Sequence, residues 1–288
     1  MTHRSIQALA AIPVTLQRPT ITTRDVSAHL LGDAMDPFLV TTLFEMTGPT
    51  FPPHPHAGFA VATYILPESA TGFLNQDSTG HRNRITPGSL HATIAGSGVV
   101  HEEVTETPGT LARGFQIWLN VPGAAKHDQP VAVTLEAGDV PTVTRSNAVI
   151  RVLAGASNGV AAPIALPTPV RIVDVTLSPG GHFAQDLTAR EHAFVWMIRG
   201  AATVPGATGT TLVQGYEAAA FARDGDALAL TAGIEGARFL LFAGEPIGEP
   251  VVMRGPFVGR STAEVDAFAA RYRAGEMGHL APFAAPAA

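Results

Sequence analysis

No cysteine occurs anywhere in the chain, which excludes disulfides, thiolate metal ligands and cysteine nucleophiles together. Charge is scarce too. Only 15% of residues are charged, the formal net charge is -6, and no lysine- or arginine-rich cluster offsets it. That balance disfavours nonspecific binding to nucleic acid or to an anionic membrane, so neither is expected as a partner. Nowhere do roughly 18 apolar residues run together, as a membrane span would need. The early run "IQALAAIPV" is short, is interrupted by Gln7 and Pro13, and lacks a cleavage context, so it does not read as a signal peptide. A soluble cytoplasmic protein is the expectation.

What is abundant is apolar surface and punctuation. Hydrophobic residues make up 46% of the 288, which supports a sizeable core and argues against disorder. The length suits one large domain or two of ordinary size. Glycines (29) and prolines (23) separate short runs such as "FAVATYIL" (59–66), "FQIWLNV" (115–121), "VRIVDVTL" (170–177) and "ARFLLFAG" (237–244). Such spacing predicts many short strands in a sandwich or barrel, a mainly β fold. One helix is predicted near the end, where Ser261 and Glu264 fit a capping box and Val265, Phe268, Ala269 and Tyr272 share a face.

A faint internal repeat organises these runs. "ITPGSLHATIAGSG" (85–98) lies on "LVQGYEAAAFARDG" (212–225), and "AVATYILPESATG" (60–72) on "HAFVWMIRGAATV" (192–204). Two β lobes in tandem are expected, joined near "LEAGDVPTVTRSN" (135–147), with domains at 1–140 and 141–288.

The chemistry-bearing residues come in pairs. Side chains at i and i+2 of a strand project to one side, so His54 and His56 in "FPPHPHAGF" aim two imidazoles at one point. His101 and Glu103 in "GSGVVHEEV" form a second such pair, for which parity favours Glu103 over Glu102. On facing strands of a barrel the two pairs would offer three nitrogens and a carboxylate, a set suited to a first-row divalent metal with open positions. A lone H-x-H is more often structural than metallated; two pairs, each beside a proline or glycine turn, carry the reading. Gln116, Trp118 and Asn120 share a strand face, where satisfying barrel hydrogen bonds is the simpler role. His81 and His127 sit among turn residues and are expected to be solvated, and "GSG" (96–98) reads as a tight turn.

"DPFLV" (36–40), "FPPHPHAGF" (51–59), "TPGS" (86–89), "AGSGVVHEE" (95–103), "FQIWLNVP" (115–122) and "GPFV" (255–258), in that order, resemble the pirin family of the cupin superfamily. The resemblance implies two tandem cupin barrels (double-stranded β-helix, jelly-roll) with a short C-terminal helix. It also implies one divalent metal ion per chain, in the N-terminal barrel, held by His54, His56, His101 and Glu103. Iron is the metal it points to, with nickel, manganese, copper, zinc and cobalt as alternatives. Departures from the family pattern include Ala57 and Ala60 in place of Arg and Glu, and His91 in place of Gln. If no bulge intervenes, Gly58, Ala60 and Ala62 share the parity of the histidines and leave space above the metal. In the second lobe the repeat sets Asp186 and Thr188 opposite His54 and His56, and Leu228 and Leu230 opposite His101 and Glu103. Leucine cannot ligate, so that lobe is expected to be structural.

Three functions follow from the resemblance. One is a quercetin 2,3-dioxygenase-type enzyme acting on a flavonol-like substrate and O2, with Glu103 doubling as the catalytic base. A second is a regulator whose metal or redox state governs docking to a partner enzyme or transcription factor. The third is a vestigial, metal-free double barrel.

Overall fold

Glycine and proline do the cutting that the punctuation predicts. The computed structural model describes residues 2–49, 51–206 and 209–283 and is mainly β, with one helix of three turns. That helix, Thr262–Arg273, starts where expected: Ser261 is its N-cap and accepts a hydrogen bond from the Glu264 amide. The Glu264 carboxylate turns back one residue further than a capping box requires and accepts from the Arg260 amide. Val265 and Phe268 are buried as predicted, whereas Tyr272 is exposed. A single turn, Ala28–Leu31, was not expected, since four residues are too few to show a period. No helix among the described residues is long and apolar enough to cross a membrane.

Contacts gather the chain into two units that exchange ends. Residues 1–13 and 25–40 group with 139–246, and residues 247–288 group with 14–24 and 41–138. In the first unit a nine-stranded antiparallel sheet encloses a core of aliphatic and phenylalanine side chains, among them Val175, Phe183, Leu228, Leu230, Phe239 and Leu241. Its N-terminal strand Ile6–Ala11 pairs with Glu217–Phe221.

The second unit has a four-stranded and a seven-stranded sheet. In the smaller one, Val99–Thr105 lies between His54–His56 and Phe73–Asp77. In the larger one, Phe59–Ile65 lies between Leu90–Ile94 and Ala112–Asn120. The repeat is realised here, because Leu90–Ile94 pairs with Phe59–Ile65 as Glu217–Phe221 pairs with His192–Gly206. The C-terminal helix packs Val265 and Phe268 onto Ala57, Val100 and Phe257.

Between His56 and Phe59 the chain breaks its alternation. Gly58 has φ +82 and donates its amide to the Gly96 carbonyl. A Cβ there would stand 1.9 Å from the Val258 carbonyl oxygen and 2.9 Å from the Phe268 ring, so only glycine fits. Gly58→Ala is therefore expected to cost about 3 kcal/mol or more, from left-handed strain plus overpacking. Gly80→Ala, also left-handed but with open space around it, should cost only about 1 kcal/mol. Urea unfolding of the two variants checks the difference, and equal losses would contradict the packing argument.

Candidate metal centre

The strand register decides which side chains meet. His101 stands directly opposite His54, and Val99 opposite His56, on neighbouring antiparallel strands. The two pairs thus lie side by side in one sheet, not on facing strands as expected. Cross-strand neighbours share a face, so the three imidazoles converge, with ring centroids 4.6, 4.7 and 4.9 Å apart. Among the described residues, these three form the set whose donor atoms all lie within 4.8 Å of one another. His54 Nε2 and His101 Nε2 are 3.1 Å apart. Two nitrogens each about 2.0–2.1 Å from one ion, at a right angle, would be separated by much the same distance.

The nitrogens are prepared for a cation. His54 donates Nδ1–H to the Pro52 carbonyl at 2.9 Å, which leaves the Nε2 lone pair turned to the cluster. Nδ1 of His101 is buried with no hydrogen-bond partner, and both ring nitrogens of His56 are buried without a well-formed one, the Pro256 carbonyl lying near enough to oppose the effect of burial. Burial, reinforced by the neighbouring rings, pushes His56 down to about 3 and His101 well below its usual range; burial also lowers His54. All three are neutral at pH 7, as a metal ligand must be. The donor set therefore fits a metal ion.

Glu103 lies outside that tight trio. Its Oε2 accepts from Thr63 Oγ1 at 2.8 Å, and burial raises its carboxyl to about 7 against the weaker opposing pull of that hydrogen bond. A cation among the histidines would favour the ionised form. Glu102 faces the other way, and its Oε2 accepts from Gln76 Nε2 and from the Phe283 amide. Glu103 opposes Asn75 across the strands, and Gln76 turns with Glu102.

Several expectations need correcting. The break at Gly58 reverses parity, so Phe59 and Thr63 face the site: Phe59 lies 5.1 Å from His56, and Thr63 holds Glu103. Ala60 and Ala62 belong to the opposite face and leave no space above the cluster. Ala57, where the family has Arg, is buried against Phe257, Val265 and Phe268. His81 is not simply solvated but stacks on His91, with centroids 5.5 Å apart. His127, by contrast, is exposed as expected and pairs with Glu264. Trp118 packs edge-on against His56 at 5.6 Å, and Asn120 accepts from Lys126. In the other unit, Gln185 stands opposite Leu228 as His54 stands opposite His101. The inward position is thus Gln185, and Asp186 is exposed.

Sequence reasoning passed over Thr63, Phe59 and Lys126. Lys126, the chain's one lysine, is fully buried and donates to the Gly58 carbonyl and to Asn120 Oδ1, both at 2.7 Å. Burial lowers its ammonium to about 8. A lone lysine in a chain with few charges was the available signal. His91, noticed only as a departure, is buried between Thr134, Thr93 and Asn75, and burial lowers it to about 4.

Comparison with known proteins gives a consistent neighbourhood. The pirin profile matches residues 12–119, and that of the pirin C-terminal cupin domain matches residues 172–278. Pirin-1 of Arabidopsis thaliana is 34% identical over 235 residues, covering 81% of this chain and 80% of its own. A Pseudomonas aeruginosa protein provisionally named a quercetin 2,3-dioxygenase is 34% identical over 257 residues, covering 83% and 86%. The crystal structure of quercetin 2,3-dioxygenase from Acinetobacter baumannii superposes with a TM-score of 0.86 at 24% identity, over 96% of this chain and 99% of that one.

Two outcomes are expected. With its carboxyl raised to about 7, Glu103 is partly protonated near neutral pH, and a bound divalent ion should expel that proton. Calorimetric metal titration at pH 7 in buffers of different ionisation enthalpy should show proton release on metal binding, and none in Glu103→Gln; equal heats across buffers in the wild type would refute the coupling. The second concerns acid. His91 is depressed on folding, so its contribution to stability is complete above its unfolded value of 6.5 and is lost as pH falls toward 4. The metal-free protein should therefore destabilise across that window, and His91→Gln should flatten the decline in chemical-denaturation midpoints.

Proposed function

The chain belongs to the pirin family, and from that premise we propose that it is a metal-dependent dioxygenase acting on a flavonol-like substrate, of the quercetin 2,3-dioxygenase type. The single observation that carries the reading is the convergence of three neutral, partly orphaned imidazoles within 4.8 Å. His54, His56 and His101 would hold the ion, with Glu103 as fourth ligand or as base beside it. Iron is the proposed resident metal; three imidazoles and a carboxylate suit first-row divalent ions generally. When bound, such an ion supplies Lewis-acid polarisation of a substrate oxygen.

The chain's own groups do the rest. Thr63 occupies Oε2 of Glu103 and leaves Oε1 to take the enol proton of the substrate. With a cation bound among the histidines the carboxyl is held ionised, the form able to accept that proton. Phe59 and Trp118 pack against His56, keeping water from that ring and fixing its plane. The proposed metal domain is the unit of residues 14–24, 41–138 and 247–288, rather than the expected 1–140. In the other unit, leucines occupy the places that match His101 and Glu103 among the described residues.

The test is oxygen consumption. Protein reconstituted separately with iron, nickel, manganese, copper and cobalt should consume O2 with quercetin in at least one case. His56→Ala should abolish that uptake, and Glu103→Gln should lower kcat by about a hundredfold or more. No turnover with any metal, or undiminished turnover in His56→Ala, would sink the proposal. Elemental analysis of untreated protein identifies the metal, and a content far below one ion per chain would favour a vestigial site.

A further inference from the structure

The histidine cluster is not sealed evenly on all sides. His56 and His101 are 2% and 1% exposed, whereas His54 is only half-buried. His54 begins the strand at the free edge of the four-stranded sheet, which pairs on one side alone, with Val99–Thr105. The contact between His54 Nε2 and His101 Nε2 is itself only partly buried. The outer face of the same sheet is covered, since Val100 packs with Phe268 and Met277. A compound approaching an ion held by the three rings therefore meets His54 first.

Phe51 stands on that side. Its ring centroid lies 6.2 Å from that of His54, with the two planes tilted by 56°. Twelve of the chain's 14 phenylalanines are buried and Phe283 is half-buried, so Phe51, at 46% exposure, is the one that faces solvent. A single exposed phenylalanine is ordinary on a protein surface, and only its place sets this one apart. That place is fixed by the backbone. Pro52 and Pro53 follow, each with φ locked near −65°, and a residue before proline is confined to extended backbone. His54 Nδ1 donates to the Pro52 carbonyl at 2.9 Å, which closes the link between the exposed ring and the cluster.

The other rings near the cluster are already committed. Phe59 is buried, and half-buried Trp118 lies 4.6 Å from it and donates its indole N–H to Gln116 Oε1. Among the described residues the ring that Phe51 meets is His54, and the rest of its surface is open. An apolar ring held stiffly at the approach to a metal centre gains most from a second flat ring laid against it, because little freedom is lost in doing so. We infer that Phe51 determines substrate specificity, as the platform on which a planar aromatic ring of the substrate stacks when its oxygens engage the metal. The inference rests on the flavonol reading of the cluster and adds to it the side chain that selects the flat ring system.

Binding, not turnover, tests it. The full chain loaded with zinc, which has no redox chemistry, is titrated calorimetrically under nitrogen with quercetin and, separately, with acetohydroxamate. The second probe offers two chelating oxygens and no ring. Phe51→Ala should weaken quercetin by about fivefold or more and leave acetohydroxamate within about twofold, while Phe51→Trp should keep quercetin near its wild-type affinity. Thermal melts and zinc content report whether each variant is intact. Should Phe51→Ala lose its zinc, Phe51→Leu, which keeps apolar bulk without a ring, decides by the same loss. Undiminished quercetin binding in the ringless variant overturns the inference and leaves the flavonol reading standing. Equal weakening of both probes overturns it too, since the effect would then lie on His54. Failure of quercetin to bind the wild type, whether or not acetohydroxamate binds, sinks the flavonol reading and this inference with it.

Discussion

Imidazole nitrogens withdrawn from water and poorly bonded by the chain are the constraint on which the histidine cluster rests. Nδ1 of His101 is buried without a partner, and the two His56 nitrogens make no well-formed hydrogen bond, with only the Pro256 carbonyl nearby to oppose the effect of burial. A buried polar atom left so costs about 1–3 kcal/mol. A domain's whole net stability is only about 5–15 kcal/mol. The sheet therefore holds its histidines in an arrangement that is poor by itself and good with a cation in it. Protonation offers no escape, because burial drives His56 down to about 3 and each ring opposes charge on the next. A metal ion would take one lone pair from each ring and supply positive charge without demanding that a proton be carried into the interior.

The same constraint explains the backbone nearby. Two adjacent strands must both turn ligand-bearing faces inward, and the following strand must wall the site with larger groups. Uninterrupted alternation from His56 would have sent Gly58, Ala60 and Ala62 inward and left a hollow. The left-handed turn at Gly58 instead brings in Phe59 and Thr63, one to pack on His56 and one to hold Glu103. Lys126 then satisfies the Gly58 carbonyl from below. Burying an ammonium is costly, as its lowered proton affinity records, and two good acceptors at 2.7 Å offset that cost. A chain that uses lysine once uses it to fix the turn beside its histidine cluster.

Much of this was legible in the sequence. Strand content followed from glycine and proline punctuation, the helix start from Ser261, and the ligand candidates from simple parity within "HPH" and "HEE". Parity held inside each strand because period-two alternation is a local property of extended backbone. It failed across residues 57–58, where one positive φ reset the phase, and again in the second lobe, where Gln185 and not Asp186 points inward. The sharing of one sheet by the two ligand pairs was not legible, because strand adjacency depends on pairing partners that alternation cannot name. The exchange of chain ends was hidden for the same reason: the partner of Ile6–Ala11 lies more than 200 residues away. The environment of His91 required knowing that Thr134 and Asn75 come to its two ring nitrogens.

The two lobes show what one strand register can be made to do. In each, a short strand lies antiparallel to a longer one and pairs inward residue with inward residue. Where the pairs are His54 with His101, the interior demands a cation. Where they are Phe183 with Leu230 and Gln185 with Leu228, the interior is closed by aliphatic contact, and a single amide oxygen is left wanting a donor. The difference is not one of fold, since the pairing is the same. It lies in whether the inward side chains satisfy one another. Leucine and phenylalanine do so by dispersion and area removed from water, and they need no third party. Imidazoles cannot, so the histidine cluster keeps lone pairs suited to a cation, and the aliphatic core of the other unit does not.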